Sequence, residues 1–223
     1  MSEPCGYFVT GTDTGVGKTV VTLGLMQCLQ SQGHAVAAMK PLASGCDRLA
    51  TGIRNDDALL LQQQASVVLA YEQVNPYAFE PAIAPHIAAA QCGARIDPEK
   101  ILQAYSGLAG RAVCVVVEGV GGWRVPLGER RAMAVLARGL GLPVVLVVGL
   151  RLGCLNHALL TADSIAATGC TLAGWVANRL PPPPECAQET ISSLKSMING
   201  PLLGAVPVLS GVSAGAIADH LSL

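Results

Sequence analysis

The 223-residue sequence has few charged residues and few aromatic ones. Asp, Glu, Lys and Arg make up 13% of the chain, Phe, Trp and Tyr make up 4%, and the formal net charge is −1. A chain whose net charge is slightly negative has no positive electrostatic field to attract nucleic acid, so we expect no nucleic-acid partner. The low charged fraction also indicates that much of the chain is interior or interface.

The sequence lacks the roughly 20 consecutive apolar residues that a transmembrane helix requires. Its longest candidate, residues 139–150, contains Pro143 and is flanked by Arg138 and Arg151, which is typical of a buried strand. The N-terminus has no basic region followed by an apolar one, so no secretory signal is expected. We therefore expect a cytoplasmic protein without a membrane partner.

Eight cysteines are present, but none forms the C-x-x-C pair of a typical zinc site, and no histidine cluster accompanies them. Several lie inside apolar runs, as Cys114 does in residues 113–117. We expect the cysteines to pack as small hydrophobic side chains in a reducing compartment.

The chain is rich in the residues that suit helices packed on a parallel sheet: 51% of it is hydrophobic and 25 residues are glycine. Apolar runs of strand length alternate with helical patterns, and no repeat or linker interrupts them. The predicted strands after the first are residues 35–39, 113–117, 143–148, 172–176 and 202–207, and residues 210–223 are predicted as a final helix. We predict one α/β domain over residues 1–223, with a doubly wound, mainly parallel sheet and helices on both faces.

The most informative motif spans residues 7–19. An apolar strand leads into a loop with Gly11 and Gly17, then Lys18 and Thr19, and a helical pattern follows. Such a loop turns backbone N–H groups around an anion, and the helix N-terminus adds positive charge. In a P-loop, Lys18 would reach the terminal phosphates and the Thr19 hydroxyl would bind Mg²⁺. The loop is one residue longer than G-x-x-x-x-G-K-[ST]. A glycine turn without a ligand is the alternative, and the flanking strand and helix favour a nucleotide site.

Two charged residues follow later strands or turns. Lys40 comes directly after residues 35–39 and before Pro41, which places it at the ligand-binding edge of an open α/β sheet unless it is a solvated surface lysine. Asp57 lies just inside a predicted helix. Asn55 or Asp56 would cap that helix. Asp57 could instead serve as a carboxylate near Mg²⁺, and the spacing does not decide between the capping role and the metal-site role.

Three further features suit nucleotide or anion binding. Glu118 follows the strand at 113–117 and enters a glycine turn, an arrangement like the Walker B acid that binds Mg²⁺ beside a P-loop. The amide of Asn178 offers the donor and acceptor that match the N6/N7 edge of adenine. Residues 153–156 begin a helix whose free N–H groups could bind a carboxylate, although a plain strand-to-helix turn explains them equally well.

The motifs in this order resemble the dethiobiotin synthase family over nearly the whole chain. They read Gly11-Thr12-Asp13-Thr14-x-Val16-Gly17-Lys18-Thr19, Lys40-Pro41-x-Ala43-Ser44-Gly45, Arg54-Asn55-x-Asp57, Val117-Glu118-Gly119-x-Gly121-Gly122, Leu152-Gly153-Cys154-x-Asn156-His157 and Gly174-Trp175-Val176-Ala177-Asn178. The longer P-loop is itself the form found in that family.

The resemblance implies an ATP-dependent carboxylation and ring closure. The family joins CO2 to the two neighbouring amines of 7,8-diaminopelargonate through a carbamate and a carbamic-phosphoric anhydride, and releases ADP and phosphate. It further implies Mg²⁺ and ATP, and a homodimer in which the carboxylate tail of the substrate reaches the partner subunit.

The same resemblance assigns residues to roles. The catalytic residues would be Lys18, Lys40 and Thr14, and the metal ligands Thr19, Asp57 and Glu118. Ser44, Lys40, Gly153, Cys154 and Asn156 would bind substrate. The nucleotide would be bound by Gly15, Val16, Gly17, Lys18, Thr19, Val20, Asp57, Glu118, Gly119, Val120, Gly121, Asn178, Arg179, Pro207, Val208 and Leu209.

The sequence departs from this family at three places. Gly15 stands where relatives can have an acid, Thr190 where a tyrosine is found near the substrate tail, and residues 200–223 contain no glutamate for the ribose. Two other classes remain as alternatives. A cobyrinic-acid-type amidotransferase would need a glutaminase domain, for which the chain has no length. A partitioning-type switch ATPase usually has a second lysine early in the P-loop, where this chain has Thr12, Asp13 and Thr14 instead.

Overall fold

The computed structural model describes residues 5–128, 131–182, 184–209, 211 and 213–223. Its strands are β1 (Cys5–Gly11), β2 (Val36–Met39), β3 (Leu42–Ser44), β4 (Asp47–Leu49), β5 (Gly52–Arg54), β6 (Tyr77–Phe79), β7 (Cys114–Gly122), β8 (Pro126–Gly128), β9 (Arg131–Ala132), β10 (Val144–Leu150), β11 (Leu172–Arg179) and β12 (Leu202–Val206). Its helices are α1 (Lys18–Ser31), α2 (Asp56–Gln64), α3 (Tyr71–Val74), α4 (Pro85–Gln91), α5 (Pro98–Ala109), α6 (Met133–Leu140), α7 (Cys154–Ala167), α8 (Ala187–Met197) and α9 (Ala214–Ala218).

A central sheet has the strand order β12-β11-β10-β1-β7-β2, and neighbouring strands in it are parallel. The middle strands are apolar along their length because both faces of a parallel sheet are covered by helices. Phe8, Val116 and Leu146 are accordingly fully buried. The predicted α/β fold with a parallel sheet is confirmed.

The strand order determines where a ligand can bind. The chain leaves β1 for strands on both sides of it, with β7 and β2 on one side and β10 to β12 on the other. Ligands of doubly wound sheets bind beyond the carboxyl ends of the strands at such a reversal point. The segment between β1 and α1, residues 12–17, lies directly at this point.

Two predicted strands are longer in the structure. The acid Glu118 was expected at a strand end, but β7 continues through it, because Val9 pairs with Glu118 and Gly11 with Gly122 across from β1. Similarly, β11 extends to Arg179, since its pairing with β10 continues past the predicted end at residue 176. In both cases strand pairing outweighs the local glycine or polar signal.

The predicted final helix, residues 210–223, is wrong in its extent. Helix α9 ends at Ala218, and the backbone N–H of Ser222 then donates to the Leu203 carbonyl at 2.8 Å. A bridge between Gly204 and Leu221 completes this return to β12. Residues 221–222 therefore pair with the open edge of β12 instead of continuing the helix. Residues 210 and 212 of the predicted helix lie outside the described part of the chain.

The described residues include most of the cysteines and the side chains that could form a metal site. Six cysteines, from Cys28 to Cys186, are free thiols, whereas Cys114 is disulfide-bonded, contrary to expectation. In this part of the chain no group of three or more His, Cys, Asp or Glu side chains is placed to hold a metal ion. None of its helices combines the length and the apolar character needed to cross a membrane.

Candidate active site

A cleft of about 780 Å³ opens at the carboxyl edge of β1, β7 and β2. Most of the predicted site residues line it: Thr14, Gly15, Gly17, Lys18, Thr19, Val20, Lys40, Ser44, Asp57, Glu118, Val120 and Gly121. Six apolar residues also line it: Ala82, Ile83, Ala84, Pro85, Val125 and Pro126. This apolar wall has no local sequence signal for function, and it was not predicted.

Lys40 lies at the centre of the charged part of the cleft. Met39 pairs with Val117, so the residue after β2 lies beside Glu118. The Lys40 ammonium is 2.5 Å from Glu118 Oε1 and 2.6 Å from Asp57 Oδ2, and the residue is 5% exposed. Burial alone lowers the pKa of Lys40, but the carboxylates of Glu118 and Asp57 outweigh it, so the pKa is raised and the ammonium stays charged.

The two carboxylate oxygens of Glu118 differ in their hydrogen bonding. Its Oε1 accepts hydrogen bonds from the Lys40 ammonium and, at 3.0 Å, from the Thr19 hydroxyl. Its Oε2 is buried without a partner among the described residues. A buried, unpartnered carboxylate oxygen beside a P-loop threonine suits a hard cation such as Mg²⁺, which takes few protein ligands and completes its shell with phosphate and water.

Helix α2 presents Asp57 to the cleft. Asn55 is its N-cap, and the Asn55 side chain accepts from the Ala58 backbone N–H at 3.2 Å. Asp57 therefore is not needed as a cap. Burial raises the pKa of Asp57, but the ion pair with Lys40 outweighs it and holds the pKa below its usual range.

Lys18 is buried in the folded P-loop, with 7% of its surface exposed. Its ammonium donates to the Asp13 carbonyl at 3.0 Å. Burial lowers the pKa of Lys18 from 10.5 to about 8, partly opposed by Glu118. The charged amine is thus held in the loop at a free-energy cost when no phosphate is bound.

Replacing Lys18 by Met should stabilise the nucleotide-free protein at pH 7. One pKa unit corresponds to about 1.4 kcal/mol, so removal of this ammonium should raise the free energy of unfolding by about 3 kcal/mol. Because the folded-state pKa lies below the unfolded one, the cost is complete below pH 8 and disappears as pH rises towards 10.5. Urea unfolding of both proteins between pH 7 and pH 10 measures this difference. The exposed Lys195→Met is the control, and a parallel pH dependence of K18M and wild type would contradict the assignment.

An unpredicted ion pair ties the P-loop to the start of α7. Arg151, which follows β10, pairs with Asp13. The backbone N–H of Thr14 also donates to Asp13 at 2.7 Å, and this bond, with Arg151, holds the pKa of Asp13 below its usual range. Arg151 and Asp13 are 138 positions apart in the sequence, and the pairing of β1 with β10 brings their segments together.

A second, smaller cleft of about 260 Å³ adjoins the P-loop and includes the predicted adenine residues Asn178, Arg179, Pro207, Val208 and Leu209. The Asn178 side-chain amide donates to the Val16 carbonyl at 2.9 Å. Asn178 therefore supports the P-loop directly. This supporting bond was not predicted.

Five predicted residues do not line either cleft. Val16 is fully buried beneath the loop, and a side chain at Gly119 would contact the Phe8 ring at 3.2 Å. Gly153, Cys154 and Asn156 lie at the start of α7, outside both clefts. Any contact of α7 with substrate would then require a second subunit.

Comparison with known proteins accounts for nearly the whole chain. A family described as "AAA domain" matches residues 5–216. The ATP-dependent dethiobiotin synthetase of Pseudomonas paraeruginosa is 52% identical over 218 residues, which are 97% of this chain and 96% of that protein. The chain belongs to the ATP-dependent dethiobiotin synthetase family. The synthetase of Aromatoleum aromaticum is 47% identical over 100% of this chain and 99% of its own. As a member of this family the chain is an ATP-dependent enzyme, a ligase of biotin biosynthesis.

Solved structures of other proteins share the fold of this synthetase. MinD of Pyrococcus horikoshii in complex with Mg-ADP gives a TM-score of 0.51 at 20% identity, covering 97% of this chain and 87% of its own. A ParA family ATPase from Chlorobium tepidum gives 0.58 at 13% identity, covering 98% and 90%. At these identities the likeness shows a P-loop NTPase fold alone.

Proposed function

We propose that the large cleft carboxylates 7,8-diaminopelargonate with CO2 and closes the product into the cyclic urea of dethiobiotin. The observation that supports this most directly is the Lys40 ammonium, buried between Glu118 and Asp57 in the cleft that also contains Lys18. Two cations in one cleft match a reaction that creates negative charge on a carbamate and on a transferring phosphoryl group.

The reaction would proceed in three steps. One amine of the diamine adds to CO2, loses a proton and becomes a carbamate. A carbamate oxygen then attacks the γ-phosphorus of ATP, forming a mixed anhydride and releasing ADP. The second amine attacks the anhydride carbonyl, closes the ring and expels phosphate. No covalent enzyme intermediate is needed, so the protein acts through position and charge.

The roles that we assign to the cleft residues are those implied by the family resemblance, and their positions support them. Lys18 would bind the terminal phosphates once its bond to the Asp13 carbonyl is exchanged for phosphate oxygens. Lys40 would neutralise the carbamate, and Thr14 and Ser44 would line the diamine. The backbone from Gly15 to Val20, with residues 119–121, would surround the phosphates.

Thr19, Asp57 and Glu118 would bind Mg²⁺. The fit is supported by the unpartnered, buried Glu118 Oε2 and by the Thr19 hydroxyl 3.0 Å from the other oxygen. When bound, Mg²⁺ supplies positive charge against the terminal phosphate oxygens of ATP. The adenine would lie in the smaller cleft against Pro207, Val208 and Leu209, read by Asn178 beside Arg179.

A homodimer would bring the α7 N-terminus of one subunit to the substrate in the other. Helix α7 follows its N-cap Gly153, whose positive φ of 91° shapes the turn; the Cys154 N–H donates to the Arg151 carbonyl, and the backbone N–H groups of Leu155 and Asn156 would face an anion. Cys154 and Asn156 lie in this turn, and Leu152 and Leu155 beside it are exposed apolar side chains. An apolar surface around an anion-binding helix end suits a subunit contact that receives a carboxylate tail.

The test is incorporation of carbon from bicarbonate. Purified protein with ATP, Mg²⁺, 7,8-diaminopelargonate and ¹⁴C-bicarbonate should form acid-stable radioactive product in amounts equal to the phosphate released. Omission of the diamine should abolish both. Sustained ATP hydrolysis without acid-stable label would contradict the proposed function, because a carbamate alone releases its CO2 in acid.

A further inference from the structure

Two buried residues outside both clefts connect the segments that hold Lys40 and Asp57. Asn75 is 3% exposed and Tyr71 is 6% exposed. Neither lines the large cleft, so neither is placed to touch a ligand there. Their side chains nevertheless hydrogen-bond to each other and to the backbone of Lys40 and Asn55.

The backbone of Lys40 is held on both sides by residues 74–75. The Lys40 backbone N–H donates to the Val74 carbonyl at 2.8 Å. The Asn75 side-chain amide donates to the Lys40 carbonyl at 2.6 Å, and also to the Tyr77 carbonyl at 3.1 Å. Lys40 follows β2 and no longer pairs within the central sheet, so these bonds replace the strand pairing that holds Met39.

Tyr71 extends this connection to α2. Its hydroxyl donates to Asn75 Oδ1 at 2.9 Å and accepts from the Asn55 backbone N–H at 2.7 Å. Asn55 is the N-cap of α2, and Asp57 follows two residues later. The Arg54 guanidinium lies 4.1 Å from the centre of the Tyr71 ring and holds the ring in place from the other side.

We infer that Asn75 and Tyr71 are positioning residues that set the Lys40 ammonium against the Asp57 carboxylate through a continuous chain of hydrogen bonds from the Lys40 backbone to the Asn55 backbone. The inference rests on the proposed function in so far as Lys40 and Asp57 act in the reaction. The 2.6 Å contact between Lys40 and Asp57 joins two side chains whose backbones come from separate elements. A displacement of about 1 Å at a reacting group can lower a rate by roughly 100-fold, so the connection matters even far from the chemistry.

The test replaces Tyr71 by Phe, which removes the hydroxyl and retains the ring against Arg54. We expect kcat for ring closure to fall by roughly 10–100-fold, with a smaller change in KM for ATP, because the connection reaches Asp57 but leaves Lys18 and the rest of the P-loop in place. Tyr105→Phe, at a half-buried tyrosine of α5, is the matched control and should retain wild-type kcat. Asn75→Ala, which removes both donors to the Lys40 and Tyr77 carbonyls, should reproduce the kcat effect of Y71F.

The crystal structure of the Tyr71→Phe variant gives a readout independent of activity. Lys40 Nζ should lie beyond hydrogen-bond distance of Asp57 Oδ2, while the P-loop keeps its wild-type conformation. Wild-type kcat together with the unchanged ion pair in Y71F would overturn the inference and leave the proposed function intact. If the wild-type protein forms no product, the proposed function fails, and the ion-pair geometry still decides the inference. If the fall in kcat of both variants equals the fraction of protein that is unfolded, and KM is unchanged, the role is structural and the inference is overturned.

Discussion

Lys40→Gln is expected to abolish ring closure and to leave ATP binding largely intact. The ammonium of Lys40 is the buried cation between Glu118 and Asp57, and a neutral amide in its place cannot offset the charge of a carbamate. Removal of one preorganised charge-stabilising group typically lowers kcat by roughly 10²–10³-fold, and we expect at least this loss. Product formation from labelled bicarbonate measures turnover, and isothermal titration with ATP and Mg²⁺ measures binding.

A second measurement separates the catalytic role of Lys40 from a structural one. In K40Q the two carboxylates lose their shared cation, so Mn²⁺, used as a probe for Mg²⁺, should bind the nucleotide-free variant more tightly than wild type. Electron paramagnetic resonance of free Mn²⁺ detects this change. The exposed Lys195→Gln serves as the control for loss of a lysine charge. Unchanged turnover in K40Q, or equal loss in both variants, would remove Lys40 from the reaction.

Gly17→Ala is expected to weaken ATP binding by roughly 100-fold, because the P-loop backbone must move to accept the methyl group. Gly17 has a φ of 87°, and a Cβ built on it would lie 2.0 Å from Asn178 Nδ2. The left-handed conformation costs about 1–2 kcal/mol for alanine, and relief of the overlap adds about 1–3 kcal/mol. Displacement of Asn178 also frees the Val16 carbonyl that it holds.

Gly15→Ala is the matched control for this substitution. Gly15 also has a positive φ, 72°, but a Cβ there meets nothing within 4 Å. It should therefore show the conformational cost of about 1–2 kcal/mol alone, with ATP affinity much closer to wild type. Chemical unfolding and ATP titration of both variants measure the comparison. Equal losses in G15A and G17A would show that the contact with Asn178 has no part in shaping the loop.

The elements with strong local signals were predicted well. Apolar periodicity and glycine placement predict the strand before the P-loop, the start of α1 and the buried run of β10. These signals depend only on residues that are close in sequence. The cap of α2 at Asn55 is likewise confirmed, because a cap is a contact within one turn. The failures lie where a distant segment competes, as at the end of β7 and in the short helix α9.

The sequence by itself determined the P-loop, the α/β fold and, through the order of its motifs, the family. It also named Lys40, Asp57 and Glu118 as residues of one site, although it left the alternatives for each open. Only the tertiary structure decided that these three side chains form one ion-pair cluster around the buried Lys40 ammonium, since β2 lies beside β7 rather than beside β1. It alone disclosed the Arg151–Asp13 pair, the Asn178 support of Val16 and the Asn75–Tyr71 connection. Each of these joins residues from separate elements, and the geometry of such contacts is set by strand order and packing, which local sequence patterns do not encode.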